Sequence, residues 1–309
     1  MATTTNITTT YAGEFAGTYV SAALLSGKTL AENLITIKPN IKFKEVMKKV
    51  ATTDLVKDAT CDFDPTSTLT LTERILQPEE FQVNLQLCKK DFRNDWEAVS
   101  MGFSAYDNLP PSFADFLIAH AADKVAQKME QNIWNGTNAN AGEFDGFKTT
   151  LLADGDVVDV AAVGGGVDSS NVVAQLGRIV DVIPSPVYGT EDLFIYVSSN
   201  IYRAYVRALG GFASNVGAAG TDNKGTQWFN GGALTYDGIN IVLASGLAAN
   251  TAVAAQKSNL FFGTGLLNDQ NEVKVIDMAD IDGSQNVRVV MRFTAGIQHA
   301  IGSDIVLYS

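Results

Sequence analysis

The residue types that most often perform catalysis or bind metals are scarce in this chain of 309 residues. It has two histidines, His120 and His299, and two cysteines, Cys61 and Cys88, and none of them lies at metal-ligand spacing from another. His120 falls on the apolar face of a predicted helix, where an imidazole buried in the core is the favoured interpretation. We therefore predict no catalytic residue, no metal ligand and no cofactor, and we expect both cysteines to be free, buried thiols.

The glycine-rich and acidic segments do not complete a known binding motif. The clusters Gly164–Gly166 and Gly263–Gly265 are followed neither by the Gly-Lys-Ser/Thr of a phosphate loop nor by a dinucleotide fingerprint, so they are interpreted as turns. Residues 277–283 contain three aspartates and a glycine but lack the closing glutamate of a calcium loop. A hairpin turn is the better interpretation there. An enzyme with a dispersed acidic site stays open as an alternative.

Composition and charge place the chain among globular proteins. Hydrophobic residues make up 46% and charged residues 18%, and the formal net charge is -12. Without clustered lysine and arginine, such a chain is not drawn to nucleic acid or to anionic lipid by its overall field. It contains no run of 18 apolar residues, and residues 1–10 lack the basic residues of a secretory signal. We expect synthesis in a reducing cytoplasm and no membrane association.

The clearest strand pattern in the chain covers residues 66–88. Apolar side chains alternate with polar ones before and after a turn at Pro78. This pattern predicts a hairpin with one apolar face, which must lie on something because an isolated two-stranded hairpin is marginally stable in water. Its own domain and a neighbouring subunit are both possible supports, and the pattern alone slightly favours the first. The residues of this apolar face and its turn are Leu69, Leu71, Ile75, Pro78, Phe81, Val83 and Leu85.

The clearest helix pattern covers residues 112–136. Ser112 is a good N-cap, with Asp115 three residues later in the manner of a capping box. Apolar residues then recur at spacings of three and four, and Asn135 and Gly136 predict a left-handed stop. A helix of this length spans about 33 Å at about 1.5 Å per residue. It is predicted to be the spine of the fold.

The remaining segments indicate an arm followed by mixed helices and strands. Residues 1–37 have too few large side chains for a core and predict an arm, and the strand pattern at 35–50 is interrupted by Pro39. Between 150 and 275 the pattern predicts helices at Asn171–Ile183 and Asn200–Leu209, strands at Leu193–Val197, Asn240–Ala244 and Asn259–Phe262, and a loop of small residues at 210–223. Strands predicted at 272–278, 286–293 and 296–308 are expected to pair with earlier ones.

In this order, the parts resemble the major capsid protein of tailed double-stranded DNA bacteriophages. The segments that carry the resemblance are Phe81–Phe92, Tyr236–Ala244, Leu260–Leu267, Asn286–Phe293 and Gly302–Tyr308. The resemblance implies an α+β fold with a peripheral domain of spine helix and antiparallel sheet, an inserted axial α/β domain, an extended β-hairpin loop and an N-terminal arm. The implied boundaries are 1–37 for the arm, 38–54 and 91–149 for the peripheral domain, 55–90 for the extended loop, 150–270 for the axial domain and 271–309 for a return to the peripheral domain.

The resemblance also implies a function and a set of partners. The chain would be a structural subunit, not an enzyme, that assembles in rings of five and six into an icosahedral shell around double-stranded DNA in the virion. Solubility through self-repulsion is the favoured explanation of the net charge of -12, and an acidic inner wall that does not bind DNA tightly is the second. No sequence-specific contact to the DNA is expected. A separate scaffolding protein, a portal and possible decoration proteins are the implied partners, and no covalent crosslink is predicted. A shell protein of a cargo-enclosing bacterial nanocompartment and a tail-tube or other virion protein remain alternatives.

The resemblance implies that a neighbouring subunit, and not the same domain, covers the apolar face of the predicted hairpin. A shell tiles one chain into rings through heterologous contacts that must tolerate small changes of angle. A projecting hairpin can lie across a neighbour without a single rigid geometry. Docking on a second copy of the chain therefore becomes the favoured role of Leu69, Leu71, Ile75, Pro78, Phe81, Val83 and Leu85.

Overall fold

A computed structural model describes residues 28–52, 56, 58–59, 61, 69–88, 111–209, 234–265 and 274–309. The helices are α1 Lys28–Ala31, α2 Pro111–Asn135, α3 Phe147–Ala153, α4 Val172–Val180, α5 Ser199–Leu209 and α6 Ala279–Asp282. The strands are β1 Thr36–Lys38, β2 Glu45–Thr52, β3 Leu69–Leu76, β4 Glu79–Cys88, β5 Val158–Val160, β6 Leu193–Val197, β7 Leu234–Tyr236, β8 Ile239–Leu243, β9 Ala252–Gln256, β10 Leu260–Gly263, β11 Lys274–Asp277, β12 Asn286–His299 and β13 Val306–Tyr308.

A six-stranded mixed sheet with the order β5-β13-β9-β6-β8-β7 separates two hydrophobic cores. Side chains of successive strand residues point to opposite faces. In β6, Tyr196 belongs to the first core, which also holds Trp134 and Phe147, and Ile195 belongs to the second, which includes Leu176 of α4. Both faces are thus covered by the chain itself, which explains why β6 reads as a continuous apolar run in the sequence.

A five-stranded sheet is built around β12, whose 14 residues make it the longest strand among those described. β4 pairs with β12 in antiparallel register over ten residues, from Asn286 opposite Cys88 to Ala295 opposite Glu79. β11 and β10 also pair with β12, and β1 joins β10 in parallel. The predicted hairpin turn between β11 and β12 is confirmed, and it contains the short helix α6.

The strands predicted at residues 66–88 form, but the prediction that they pair with one another is wrong. β3 pairs with β2 and β4 pairs with β12. Two-residue hairpin turns of the favoured types need positive φ, and the ring of Pro78 fixes φ near about -65°. The chain therefore bends at Pro78 from one sheet into another. The two-stranded ladder of this region is the antiparallel pairing of β2 with β3.

The spine helix α2 is confirmed, with two corrections at its ends. It begins at Pro111, so Ser112 is a helical residue and not the N-cap, and proline at the first helical position has a suitable φ and needs no N–H partner. Gly136 follows the last residue but does not have positive φ. A β-carbon at Gly136 would overlap the carbonyl oxygens of Phe144 and Asn132. Close backbone packing, not a left-handed turn, therefore requires this glycine.

The strand pairings cross the predicted boundary at residue 270. β10 lies before it but pairs with β12, and β13 lies after it but pairs with β9 and β5 of the six-stranded sheet. The predicted division into domains stays a prediction. The predicted loop at 210–223 and residues 1–27 of the predicted arm lie outside the described residues. In the part of the chain that the structure describes, no helix combines the length and apolar character of a membrane span.

Candidate subunit interface

The β2–β3 ladder carries a row of exposed apolar side chains on one face. Val46 is 45% exposed and lies opposite Ile75, which is 48% exposed. On the same strand as Ile75, Leu69 and Leu71 are 63% and 59% exposed. Residues at alternate positions share a face, as do residues directly opposite each other in the ladder. We call Val46, Leu69, Leu71 and Ile75 the hairpin face.

A charged pair lies within the hairpin face. Lys48 Nζ and Glu73 Oε1 are 3.9 Å apart, and both side chains are more than half exposed. The two residues are opposite one another in the register of the ladder. An exposed pair of this kind contributes between about 0 and 1 kcal/mol. It leaves the hairpin face amphipathic, with apolar residues on either side of one ion pair.

The other predicted contact residues lie on or beside β4 and are half-buried, and two of them, Phe81 and Val83, pack against the chain's own first core. The ring of Phe81 is 5.9 Å from that of Phe144 and 5.7 Å from that of Phe293. Val83 also packs on this core, and Leu85 and Pro78 are half-buried. The fold therefore splits the seven predicted residues into an exposed set on β3 and a partly covered set at β4. A role in subunit contact stays a prediction for all of them.

The base of the hairpin is tied to the body of the fold by a cluster of three side chains, of which His299 is buried and Arg74 and Asp154 are partly exposed. Arg74 of β3 and His299 of β12 both contact Oδ2 of Asp154, at 2.5 Å from Arg74 Nη2 and 2.8 Å from His299 Nε2. His299 is only 1% exposed. A β-carbon at Gly302 would overlap the Asp154 carboxylate, so glycine is required beside it.

Burial and hydrogen bonding shift the pKa of both titratable members of this cluster. Burial would raise the pKa of Asp154, but hydrogen bonds from His299, from the Asp156 N–H and from Arg74 outweigh it and hold the pKa below its usual value. Burial lowers the pKa of His299 and the charge of Arg74 lowers it further, although the Asp154 carboxylate opposes both. The imidazole is therefore neutral at neutral pH, and the carboxylate is ionised.

Sequence reasoning missed this cluster because its members are far apart in the chain. Asp154 and His299 are separated by 145 positions, and His299 has no carboxylate at motif spacing. Only the pairing of β12 and the end of α3 bring them together. A histidine that ends an alternating apolar strand is a weak signal of burial, but it does not identify the partner.

A second buried polar contact anchors the beginning of the described chain. Thr29 of α1 donates from its N–H to Glu130 Oε2 at 3.1 Å and from its hydroxyl to Oε1 at 2.6 Å. Trp134 Nε1 donates to the same hydroxyl at 2.9 Å. Glu130 is 1% exposed, and burial raises its pKa despite these hydrogen bonds. The segment at 28–31 is thus held on the spine helix, as a terminal segment must be if it is not to fray.

The helices, the two larger sheets and the β2–β3 ladder define an α+β protein with two hydrophobic cores. No protein-family model and no curated protein matches the chain. Among solved structures, the chain is similar to the capsid of the native GTA particle, with a TM-score of 0.63 and 12% identity over 94% of this chain and 92% of that one.

Two further solved structures are similar over the same extent. A chain of Mycobacterium phage Adephagia has a TM-score of 0.60 and 14% identity, and it covers 94% of this chain and 92% of its own. The capsid of Myoviridae phage XM1 has a TM-score of 0.60 and 10% identity over 95% and 94%. The predicted phage-capsid fold is therefore confirmed for essentially the whole chain.

Proposed function

We propose that this chain is a structural subunit that assembles with copies of itself into an icosahedral capsid shell around phage double-stranded DNA. The observation that supports it best is the hairpin face, because four apolar residues there lie on a two-stranded ladder and remain about half exposed or more. Monomeric proteins rarely leave contiguous apolar patches uncovered, and such patches mark interaction sites. A second copy of the chain is the partner that a shell built from one subunit offers.

The chemistry of the described residues supports a structural role over a catalytic one. They contain no group of three or more histidine, cysteine, aspartate or glutamate side chains placed to hold a metal. The buried carboxylate–imidazole pair of Asp154 and His299 lies beneath the surface, where His299 is 1% exposed and out of reach of a substrate. The capsids among the similar structures come from a phage and a GTA particle, which favours a phage-type shell over a nanocompartment.

The finer parts of the proposal follow from the same assembly. Rings of five and six copies would form the shell, with a separate scaffolding protein and a portal as partners and decoration proteins as possible additions. The subunit would be made in the cytoplasm of the host and would end in the virion. The net charge of -12 is suited to a wall that confines DNA without binding it tightly.

A pair of double variants on opposite faces of one strand tests the proposal. Leu69→Ser with Leu71→Ser makes the hairpin face polar, while Thr70→Ala with Thr72→Ala changes the opposite face of β3 and is the matched control. Sedimentation velocity and negative-stain electron microscopy of the purified protein, with and without a scaffold, measure assembly. We expect rings or shells from the wild type and the control, and unassembled subunits from the leucine variant.

The melting temperature separates a loss of assembly from a loss of folding. Because Leu69 and Leu71 are exposed, the unassembled leucine variant is expected to melt within a few degrees of unassembled wild type. A leucine variant that builds shells as the wild type does would overturn the role of the hairpin face. A wild-type chain that stays a compact monomer at high concentration and with a scaffold would overturn the capsid proposal itself.

A further inference from the structure

A polar cavity of about 320 Å³ lies at the C-terminal end of the spine helix α2. Its lining includes Asn132 and Asn135 of the last helical turn, Glu143 of the loop that follows, and Ser245 and Gly246 of the loop after β8. A β-carbon at Gly246 would overlap the carbonyl oxygen of Glu130, so the two elements meet with little room between their backbones. The cavity is thus formed by close packing of a helix end on a loop.

Three residues that line this cavity each carry a side-chain oxygen that is buried without a hydrogen-bond partner among the described residues: Asn132 Oδ1, Asn135 Oδ1 and Ser245 Oγ. Asn132 is 2% exposed, and its Nδ2 donates to the Gly142 carbonyl at 3.0 Å. Asn135 Nδ2 donates to the Gly246 carbonyl. These bonds fix the orientation of both amides, because a flipped amide would place oxygen against oxygen. Leaving such acceptors unmatched costs about 1–3 kcal/mol each.

The electrostatics of the cavity favour a positive ligand. The carbonyl end of a helix carries partial negative charge, and the last turn of α2 contains no basic residue. Glu143 Oε1 accepts from Lys128 Nζ at 2.5 Å, while Oε2 accepts from the Thr137 N–H at 3.2 Å and from Asn140 Nδ2 at 3.0 Å. These hydrogen bonds, that from Lys128 foremost, lower the pKa of Glu143 to about 2, so its carboxylate is ionised.

We infer that this cavity binds a divalent cation of the calcium class through the side-chain oxygens of Asn132, Asn135 and Ser245, with Glu143 supplying negative charge. Amide, hydroxyl and carboxylate oxygens are the ligands that Ca²⁺ prefers, and water molecules complete its six to eight positions. With a single carboxylate the affinity is expected to be weak, with a dissociation constant on the order of 10⁻⁴–10⁻³ M. The cation links the end of the spine helix to the loop after β8.

Lys128 makes the site regulable by competition. Its side chain is 47% exposed, and it contacts the same carboxylate that the cation would use. A cation in the cavity draws Glu143 inward and leaves the ammonium group of Lys128 to solvent. Replacing Lys128 with methionine removes the competing positive charge, and it is therefore expected to tighten cation binding.

Terbium luminescence gives a direct test, because Tb³⁺ replaces Ca²⁺ at oxygen sites and is excited by a nearby indole. Trp134 borders the cavity, since a β-carbon on Gly246 would be 3.0 Å from its Cδ1 atom. We expect saturable tryptophan-sensitised Tb³⁺ emission that Ca²⁺ displaces. Trp134→Phe is expected to lower the emission and to leave the Ca²⁺-dependent rise in melting temperature in place. Emission of unchanged intensity in this variant would place the ion elsewhere and would overturn the proposal.

Substitutions of the ligands and matched controls complete the experiment. Glu143→Gln is expected to weaken Tb³⁺ and Ca²⁺ binding by about tenfold or more, Ser245→Ala by less, and Lys128→Met to strengthen it. Glu191→Gln and Ser303→Ala, outside the cavity, are the controls and leave binding unchanged. At tenfold excess over its dissociation constant, Ca²⁺ raises the melting temperature by a few degrees relative to NaCl of equal ionic strength.

Ordered water is the competing occupant, since it can also satisfy buried oxygens. In that case Ca²⁺ and NaCl of equal ionic strength give the same melting temperature, and the proposal is overturned. Equal binding by wild type, Glu143→Gln and Ser245→Ala would have the same consequence. If Glu143→Gln does not fold, Lys128→Met and Ser245→Ala still move the affinity in opposite directions and decide the question.

Discussion

The six-stranded sheet and the β2–β3 ladder differ in how far their apolar side chains are exposed to solvent. In the six-stranded sheet, Ile195 and Tyr196 are fully buried on opposite faces, because two cores cover the sheet from both sides. In the ladder, Leu69 and Leu71 are about 60% exposed although they lie in a regular strand register. Apolar side chains are thus buried by the chain itself in the six-stranded sheet and left exposed to solvent in the ladder.

Under the proposed function, this difference separates residues that stabilise the folded subunit from residues that would stabilise its assembly. Burial of apolar area is the main favourable contribution to both processes, and it is roughly proportional to the area removed from water. The six-stranded sheet obtains this contribution when the chain folds. The hairpin face obtains it only when a further surface covers it, so its residues should contribute to association and very little to the stability of the subunit.

The largest expected effect comes from truncating one large aliphatic side chain to alanine in each region and comparing the losses of stability. Ile195→Ala removes buried methyl groups and is expected to lower the free energy of unfolding by about 2–5 kcal/mol. Leu71→Ala at 59% exposure should change that of the unassembled subunit by less than about 0.5 kcal/mol. Urea unfolding of unassembled subunits, with equal m-values as a check, measures both. A large loss from Leu71→Ala would show that the hairpin face is covered within the subunit.

The next prediction concerns the contact that joins the two regions. Asp154→Asn removes the carboxylate that holds Arg74 of the ladder and His299 of the body, and leaves Arg74 without its charged partner. Hydrogen bonds to charged groups contribute about 1.5–3 kcal/mol, and we expect a loss of about 1–2 kcal/mol because Arg74 is partly exposed. Urea unfolding measures the loss, and hydrogen exchange should show faster opening of β2 and β3 than of β6. Uniform acceleration across both regions would contradict a local anchoring role.

Local sequence patterns predicted most elements but few of their partners. The strand at Leu193–Val197 was predicted at its observed ends and the spine helix within two residues of its observed ends, because apolar periodicity reports which face of an element is buried. The pairing of β3 with β2 was missed because adjacent strands with matching alternation look like a hairpin. Pro78 argues against a tight turn, and this signal was available.

The hairpin face was easier to predict than the contacts of Asp154 and Ser245, because local sequence patterns report burial but not distant partners. The alternation of Leu69, Leu71 and Ile75 with polar residues predicted an apolar face but slightly favoured its burial on the same domain, whereas all three side chains are exposed. The Asp154–His299 contact and the oxygens around Ser245 depend on how distant segments pack. Alternation and motif spacing carry no information about such contacts, so only the tertiary structure reveals them.

Acid is expected to destabilise the body of the fold through His299. Since the pKa of His299 is below 6.5 in the folded chain, the unfolded chain binds a proton first as the pH falls. The stability contributed by neutral His299 is therefore present above about pH 6.5 and is lost as the pH falls towards the folded pKa, by at most about 1.4 kcal/mol per pH unit. His299→Gln should flatten this dependence between pH 7 and pH 5 in urea unfolding.

Two other buried or partly buried acids, Asp154 and Glu130, do not obscure the contribution of His299 to the pH dependence. Asp154 is ionised above pH 5 in both states, because its folded pKa lies below the usual 3.8, and its own acid-induced loss begins lower. The raised pKa of Glu130 acts in the opposite direction, since the folded chain then holds the proton more tightly, but it is common to wild type and variant. An unchanged pH dependence in His299→Gln would contradict the assignment.

The smallest expected effect tests whether the open face is electrostatically neutral for folding. Lys48→Glu places two carboxylates opposite each other at Glu73, and like charges at facing positions destabilise a ladder by a few tenths of a kcal/mol up to about 1 kcal/mol. Because both side chains are exposed, added salt should reduce this loss. Glu73→Lys combined with Lys48→Glu restores opposite charges and is the matched control for folding. A double variant that recovers stability yet still assembles poorly would show that the partner surface carries charges complementary to Lys48 and Glu73 in their wild-type positions. That result would exclude a fully apolar contact.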